Sequence, residues 1–314
     1  MKFTIQVPNI SQVRATTQPW YVDVGGPEIA QAMQLADDLG YWKAMTGEHF
    51  VMPKAQVEDS GSHFVDSSTA LAFVAGHTKN IKLASSVALV PLKNPIVQAK
   101  TWATLDWLSG GRAVLMAGVG WLEEEFEMIG VPFHERGRIC DEYIAAMIEL
   151  WTNDVATFEG KYVSFRDACA DPKPVQKPHL AIWFGGDGQP VLKRLAKWGD
   201  GWSPQSRTAP ERYPELLDYV RSQPDYHGRP IDISFAFSRL ALGHAHVSTD
   251  NPDAVGSYDV NLIVDKVGWL AEHGVTEVRL AIPPLTDFEA YLDWIRWAAE
   301  EIFPRTADLG TTPI

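Results

Sequence analysis

Residues 109–125 read SGGRAVLMAGVGWLEEE, and this stretch decides the fold. Its glycine pair forms a turn, because glycine adopts backbone angles that other residues resist. The wholly apolar run 113–117 predicts a strand covered on both faces, as in a parallel sheet. Gly118 and Gly120 leave the carboxyl end of this strand without side chains, so a flat ligand could approach the backbone there. The acidic run 123–125 opens a helix, where the helix dipole favours negative charge. An ordinary β-to-α junction without a ligand is the alternative interpretation.

Strands and helices alternate along the rest of the chain. Strands are predicted at 3–8, 41–47, 81–87, 112–118, 179–184, 201–203, 231–237 and 275–281, and helices at 27–39, 67–77, 95–108, 121–129, 135–151, 189–198, 210–221, 258–272 and 286–302. These regular units, without a linker-like boundary, predict a single α/β domain over 1–314 that folds as a (β/α)8 TIM barrel. A doubly wound parallel sheet is the alternative. Two insertions are expected, a hairpin or loop at 153–177 and a lid-like segment at 240–258.

The composition is that of an ordinary soluble globular protein, with 46% hydrophobic and 21% charged residues. A net charge of −13 argues against nucleic acid or an anionic membrane surface as a partner. No apolar run approaches the roughly 18 residues of a membrane span, and the amino-terminal residues do not resemble a signal peptide. Cys140 and Cys169 show no metal or redox spacing, and no HExxH or CxxC motif predicts a metal site. We therefore expect a cytoplasmic protein with reduced thiols and no metal.

Candidate site residues follow from the barrel, whose active site lies where the strands end. Unusual residues lie at five predicted strand ends: Glu48 and His49; Ser86 and Val87; Gly118, Gly120, Trp121 and Glu123; Gly185, Gly186, Asp187 and Gly188; and Trp202. His49 is the candidate for proton transfer, because an imidazole titrates near neutral pH. A hydrogen-bonded loop histidine is the alternative. Glu123 could act as a second acid or base, although a helix-capping charge explains it equally well.

The two glycine clusters differ in what they predict. The cluster 185–188 precedes a helix and is typical of an anion site, with exposed amides at a positive helix end, or of a plain glycine turn. The cluster at 118–123 lacks the third glycine of a dinucleotide-binding fingerprint, and no P-loop lysine–serine pair occurs in the sequence.

Six runs resemble the luciferase-like monooxygenase superfamily, specifically its coenzyme F420-dependent branch. They are TGEHF (46–50), ATLDWLSGGR (103–112), AGVGWLEEEFEMIGVPFHERGR (117–138), FEGKYVSF (158–165), DPKPVQKPHLAIWFGG (171–186) and GDGW (199–202). Each run is moderately specific, and their order and spacing across nearly the whole chain make the similarity strong. The resemblance implies a (β/α)8 barrel with a flavin or deazaflavin ring lying across the strand ends.

The resemblance also implies roles for particular residues. His49 matches the histidine that contacts the ring and handles protons, and Glu123 matches a glutamate of the Gly-x-Gly loop. Ser86-Val87 matches a non-prolyl cis peptide that supports the ring, and Gly185-Gly186 matches the loop that receives the cofactor phosphate. Family members commonly dimerise through their second and third helices, so a homodimer is expected.

The resulting hypothesis is an F420-dependent oxidoreductase that transfers a hydride between the deazaflavin and a small, apolar or cyclic organic substrate. Sugar-phosphate dehydrogenases of the branch have Trp where this chain has Pro53, which argues against a sugar phosphate. An FMN-dependent monooxygenase using O₂ and a barrel that binds flavin without turnover are the alternatives. A glycosidase needs two carboxylates at strand ends, and Glu48 and Glu123 meet that requirement only formally.

Overall fold

The computed structural model describes residues 1–237 and 258–311, together with the backbone of two short strands at 240–242 and 246–248. The predicted lid-like segment 240–258 therefore falls almost entirely outside the described residues, and its role stays a prediction.

Eight parallel strands close into a barrel. The strands of the described residues are β1 (Lys2–Gln6), β2 (Lys43–Thr46), β3 (Lys82–Leu89), β4 (Ala113–Gly118), β5 (Ala156–Glu159), β6 (Ser164–Ala168), β7 (Ala181–Gly185), β8 (Gly201–Ser203), β9 (Asp232–Ala236), β10 (Leu240–Leu242), β11 (His246–Ser248) and β12 (Glu277–Arg279). The barrel follows the order β1-β2-β3-β4-β7-β8-β9-β12, and β12 pairs with β1 to close it. This closure confirms the predicted (β/α)8 barrel and excludes the open doubly wound sheet.

Helices cover the outside of the barrel. Those of the described residues are α1 (Gly26–Asp38), α2 (Val57–Ser60), α3 (Ser67–His77), α4 (Pro95–Ser109), α5 (Glu123–Ile129), α6 (Arg136–Thr152), α7 (Gln189–Trp198), α8 (Tyr213–Arg221), α9 (Val260–Glu272) and α10 (Phe288–Glu301). Local chemistry sets their ends. Asp66 caps α3 by accepting the N–H of Thr69, and α4 stops at Gly110, whose φ of 70° lies in the left-handed region.

Side chains of the strands alternate between two apolar layers. Leu83, Leu115 and Ile182 point outward into the core between barrel and helices. Met116 and Trp183 belong to the layer inside the barrel. Burial of each large side chain contributes about 1.5–3 kcal/mol, so both layers stabilise the closed sheet.

The barrel interior also contains one buried ion pair. Lys43 Nζ lies 2.5 Å from Glu277 Oε1, and the two side chains are 1% and 0% exposed. The same ammonium lies 3.6 Å from the centroid of the Trp183 ring. Both charged residues begin their strands, so the pair lies in the half of the barrel near the strands' amino ends.

The insertion at 153–177 contains the predicted hairpin, formed by β5 and β6. The turn of the hairpin begins one residue later than the predicted Glu159-Gly160, because Glu159 still pairs with Ser164 in the strands. The Glu142 carboxylate of α6 accepts the N–H groups of Lys161 and Val163, which fixes the turn to that helix. No helix in the described part of the chain has the length and apolar composition to span a bilayer.

Candidate active site

The parallel strands of the barrel all end at one opening, which we call the barrel mouth. It is bordered by the last residues of the strands, Gln6, Thr46, Leu89, Gly118, Gly185, Ser203, Ala236 and Arg279. The residues selected from the sequence lie at or next to these strand ends, so the structure brings them to one region of the molecule.

His49 is oriented at the mouth by a buried glutamate. Its Nδ1 lies 2.8 Å from Glu125 Oε2, and the two side chains are 7% and 1% exposed. The other oxygen of Glu125 accepts the N–H groups of Phe50 at 2.7 Å and Val51 at 3.4 Å. Because an ionised carboxylate only accepts hydrogen bonds, we assign the proton to Nδ1 and the lone pair of the neutral ring to Nε2.

Glu125 was missed in the sequence, where Glu123 was selected instead. Glu123 begins α5, its side chain is 49% exposed, and its carboxylate lies 3.6 Å from His134 Nε2. Two residues further along the helix, Glu125 points into the protein toward His49. Successive helical residues point about 100° apart, so adjacent glutamates face different directions. The glutamate that contacts His49 is therefore Glu125 and not Glu123.

Aromatic rings border the histidine. The rings of Phe64 and Trp121 meet the His49 imidazole edge-on, with centroid distances of 4.8 and 5.9 Å. The predicted site residue Trp121 thus lies at the mouth beside His49. These rings limit the access of water to the imidazole.

Glu48 joins the ends of two neighbouring strands. One of its oxygens accepts the N–H of Leu89 at 2.7 Å, and the other lies 2.8 Å from Lys93 Nζ. The Glu48 side chain is 1% exposed. Its oxygens are thus engaged within the protein, and we assign it to positioning the loop that carries His49.

The peptide bond between Ser86 and Val87 is cis, as the resemblance implies. It lies within β3, where the register against β4 shifts between Ser86 and Ala88. Both residues of the cis pair are half-buried at the mouth.

The glycines near this bond make room for protein side chains. A Cβ atom on Gly118 would lie 2.3 Å from Val87 Cγ2, and one on Gly185 would lie 2.8 Å from Val87 Cγ1. A Cβ on Gly120 would lie 2.6 Å from the Phe126 ring. Val87 and Phe126 thus occupy the space that a side chain at these positions would fill, and the expectation that Gly118 and Gly120 admit a cofactor ring stays a prediction.

The loop Gly185–Gly188 runs from β7 to the first turn of α7, where Gly188 is the N-cap residue. Gly186 has a φ of 109°, a conformation that favours glycine. The Asp187 carboxylate accepts a hydrogen bond from the Thr208 hydroxyl. The Gly186 N–H donates to the Ser203 carbonyl, and the loop leads to the positive end of α7, where the anion site stays a prediction.

Trp202 supports this loop from beneath. It is fully buried, and its Nε1 donates a 2.6 Å hydrogen bond to the carbonyl of Gly186. Its ring meets that of Tyr213 edge-on at 5.2 Å. Trp202 was selected as a cofactor contact, but in the structure it holds the loop in place and presents no surface to a ligand.

A cavity of about 480 Å³ opens beside the mouth between the carboxyl ends of β1 and β12. Its polar residues include Gln6, Ser11, Tyr21 and Arg279. Arg279 Nη1 donates to Gln6 Oε1 at 3.0 Å. Burial lowers the pKa of the Arg279 guanidinium from its ordinary value, and burial raises the pKa of Tyr21 to about 12. The sequence analysis did not identify this cavity.

The chain is a (β/α)8 barrel: its parallel strands form a closed barrel, and polar residues lie where the strands end. Within that class it belongs to the luciferase-like monooxygenase family, whose pattern residues 1–273 match. The family resemblance seen in the sequence is thereby confirmed.

Relatives in this family carry different names. An uncharacterized protein of Mycobacterium tuberculosis is 32% identical, covering 84% of this chain and 91% of its own length. An FMNH(2)-dependent dimethylsulfone monooxygenase of Pseudomonas putida is 27% identical, covering 82% of this chain and 73% of its own. An F420-dependent glucose-6-phosphate dehydrogenase of Kineococcus radiotolerans is 32% identical, covering 62% of this chain and 57% of its own.

Solved structures agree on the fold. The coenzyme F420-dependent tetrahydromethanopterin reductase of Methanopyrus kandleri superposes with a TM-score of 0.70 at 18% identity, covering 96% of this chain and 98% of that one. The oxygenating constituent of 3,6-diketocamphane monooxygenase of Pseudomonas putida superposes with a TM-score of 0.72 at 15% identity, covering 97% and 98%. At these identities the similarity establishes the fold alone.

Proposed function

We propose that the protein is an oxidoreductase that transfers a hydride between coenzyme F420 and a small organic substrate at the barrel mouth. The observation that carries this proposal is the His49–Glu125 pair, in which a buried carboxylate sets the tautomer of an imidazole at the same barrel mouth as the cis Ser86-Val87 bond. An oriented histidine at a strand end can supply or accept the proton that accompanies a hydride.

The residues present fit a flat, phosphate-bearing cofactor. Ser86 and Val87 form a half-buried surface at the mouth. Gly118 and Gly185 pack closely against the Val87 side chain and so fix its position. The loop that ends at Gly188 would receive a phosphate at the start of α7. These residues would hold the ring and the phosphate respectively.

Bound deazaflavin would supply the redox chemistry, which is hydride exchange at its C5 atom. The chain itself supplies orientation, exclusion of water and the proton. Glu125 keeps the Nδ1 proton of His49 in place, so Nε2 is the nitrogen that takes or gives a proton. Phe64 and Trp121 shield that imidazole.

An FMN-dependent monooxygenase is the second candidate. It is favoured by the similarity to the FMNH(2)-dependent dimethylsulfone monooxygenase, which extends over 82% of this chain. A flavin with nitrogen at position 5 can activate O₂, whereas a deazaflavin with carbon there essentially cannot. Consumption of O₂ in the presence of reduced FMN and substrate therefore distinguishes the two.

The first experiment is a titration of the purified protein with coenzyme F420 and, separately, with FMN, followed by tryptophan fluorescence. Tighter binding of F420 is expected. Tighter binding of FMN, together with O₂ consumption, would favour the FMN-dependent monooxygenase instead. Binding without any redox turnover would favour a flavin-binding barrel, and binding of neither cofactor would refute the cofactor assignment. The cytoplasmic location and the homodimer stay predictions, and sedimentation of the same sample tests the latter.

The role of Glu125 is tested by a scan of the three adjacent glutamates. In Glu125→Gln the nitrogen shifts of His49, measured by NMR, should move away from the Nδ1–H tautomer, and turnover should fall about 10- to 100-fold with cofactor affinity nearly unchanged. Glu124→Gln is the matched control, because that side chain is exposed. If Glu123→Gln lowered turnover and Glu125→Gln did not, the assignment of Glu125 would be wrong.

A further inference from the structure

Arg279 is a cation in the cavity between β1 and β12, and its partner is neutral. The residue alternates with Val278, which packs in the outer core, so its side chain faces the barrel interior. Its Nη1 donates to the amide oxygen of Gln6, whose Nε2 lies 3.4 Å from the Ser11 hydroxyl. Among the described residues no carboxylate forms an ion pair with Arg279. Within the part of the chain that the structure describes, the network around it therefore carries no negative charge.

Titration of the surrounding groups does not supply that charge. Tyr21 lines the same cavity, and its raised pKa of about 12 keeps it a neutral phenol at physiological pH. An arginine guanidinium remains protonated in proteins, so burial cannot remove its charge. Arg279 is half-buried, and a partly desolvated cation with no carboxylate partner among the described residues is a marker for an anionic ligand.

The rest of the cavity wall is mixed, with polar residues such as Thr16, Thr17 and Gln18 and a separate apolar section. The apolar section is formed by Phe237, Ile282, Pro283, Pro284 and Trp294. A volume of about 480 Å³ lies in the ordinary range for small-molecule sites, about 300–1,000 Å³. A cation in a cavity that also has this apolar section favours a ligand with an acidic group and an apolar body.

The cavity adjoins the His49 region through a shared wall. Ser11, which lines the cavity, pairs with Phe64 in an isolated β-bridge. The Phe64 ring in turn contacts the His49 imidazole, at a centroid distance of 4.8 Å. A ligand held by Arg279 would therefore lie on the side of the mouth next to His49.

We propose that this cavity binds the substrate, that the substrate is an organic acid with an apolar body, and that Arg279 binds its carboxylate. That the bound acid is the substrate rests on the proposed function. That the cavity binds an organic acid rests on the cavity alone. With Nη1 engaged by Gln6, the Nη2 and Nε edge of the guanidinium offers the two parallel donors that match a carboxylate. Because the net charge of −13 repels anions from the protein as a whole, an organic acid needs a local cation such as Arg279.

The test compares carboxylates with their neutral amides. Benzoate, phenylacetate and cyclohexanecarboxylate, each beside its primary amide, are titrated into the full-length protein by calorimetry, with and without bound F420. Wild-type protein should bind at least one carboxylate more tightly than its amide. Arg279→Gln should weaken that carboxylate about 10- to 100-fold and leave the amide unchanged, since charge-assisted hydrogen bonds contribute about 1.5–3 kcal/mol.

Two further variants make the result specific. Arg296→Gln removes the same charge from an exposed position on α10 and should not alter carboxylate binding. Arg279→Lys keeps the charge without the planar fork and should give an intermediate affinity. If Arg279→Gln failed to fold, the lysine variant would carry the test.

Three outcomes would overturn the inference: no carboxylate binds, carboxylates bind Arg279→Gln as tightly as wild type, or they compete with F420 and so mark Arg279 as a cofactor contact. F420 binding without carboxylate binding refutes this inference alone. Carboxylate binding with neither F420 nor FMN refutes the proposed function alone, and leaves Arg279 as a ligand site.

Discussion

Two cations inside the same barrel have different surroundings. Lys43 lies 2.5 Å from the Glu277 carboxylate, in the half of the barrel where the strands begin. Arg279 follows Glu277 by two residues on β12, at the mouth, and among the described residues its guanidinium forms its side-chain hydrogen bond with the neutral amide oxygen of Gln6. Burial lowers the pKa of both cations, and for Lys43 the nearby Glu277 opposes that effect. Lys43, near the amino ends of the strands, is paired with a carboxylate of the chain, whereas Arg279 at the mouth has no such partner among the residues described.

The different surroundings of Lys43 and Arg279 predict different roles, one in the stability of the fold and the other in ligand binding. A charge neutralised inside the protein makes the fold depend on its partner, since loss of that partner leaves a buried charge uncompensated. A charge without such a partner costs the fold stability and gains a counter-ion only from a ligand. Substitutions at the two sites should therefore act on different measurements.

The largest effect is expected for Glu277→Gln. It removes the counter-ion of Lys43, so the free energy of unfolding at neutral pH should fall by about 3–5 kcal/mol. Urea unfolding followed by circular dichroism measures the change. Glu301→Gln is the control, because its pair with Arg305 is exposed and should contribute less than about 1 kcal/mol. Equal losses in the two variants would contradict the contrast between the two cations.

A smaller effect is expected when both members of the buried pair are replaced together. Lys43→Met combined with Glu277→Leu removes both charges and keeps apolar volume beside Trp183. The free energy of unfolding should return to within about 2 kcal/mol of wild type, well above the single variant. The same urea experiment on single and double variants closes the thermodynamic cycle. A double variant as unstable as Glu277→Gln would show that the pair contributes geometry as well as charge.

The sequence predicted the barrel because strand and helix patterns are local. Its alternation of apolar strands and capped helices, and the position of His49 after β2, required no knowledge of long-range contacts. Deciding whether Glu123 or Glu125 contacts His49 did require knowledge of long-range contacts. Three adjacent glutamates at a helix start look equivalent in sequence, and only the helix phase relative to the β2 loop sends Glu125 toward His49.

Arg279 was missed for a related reason. Glu277 and Arg279 alternate with Val278 on one predicted strand, a pattern that is also typical of a half-exposed strand. In a barrel the outer face is covered by helices, so the charged face must be the interior one. That signal was available once the barrel was predicted. The pairing of Lys43 with Glu277 could not be predicted from the sequence, since the two residues are 234 positions apart.

The smallest effect on stability is expected for Arg279→Gln. The folded protein lowers the pKa of this guanidinium, so its cation is less favourable in the folded chain than in the unfolded one at neutral pH. Its loss should therefore change the free energy of unfolding by no more than about 1 kcal/mol, since the Gln6 hydrogen bond is lost while a desolvated charge is removed. The distinguishing measurement is unfolding with and without a carboxylate that binds the wild type. Ligand at 100 times its Kd should stabilise wild type by about 2.7 kcal/mol and Arg279→Gln by much less. A loss of stability as large as that of Glu277→Gln would place Arg279 with Lys43, as a cation whose role is to support the fold.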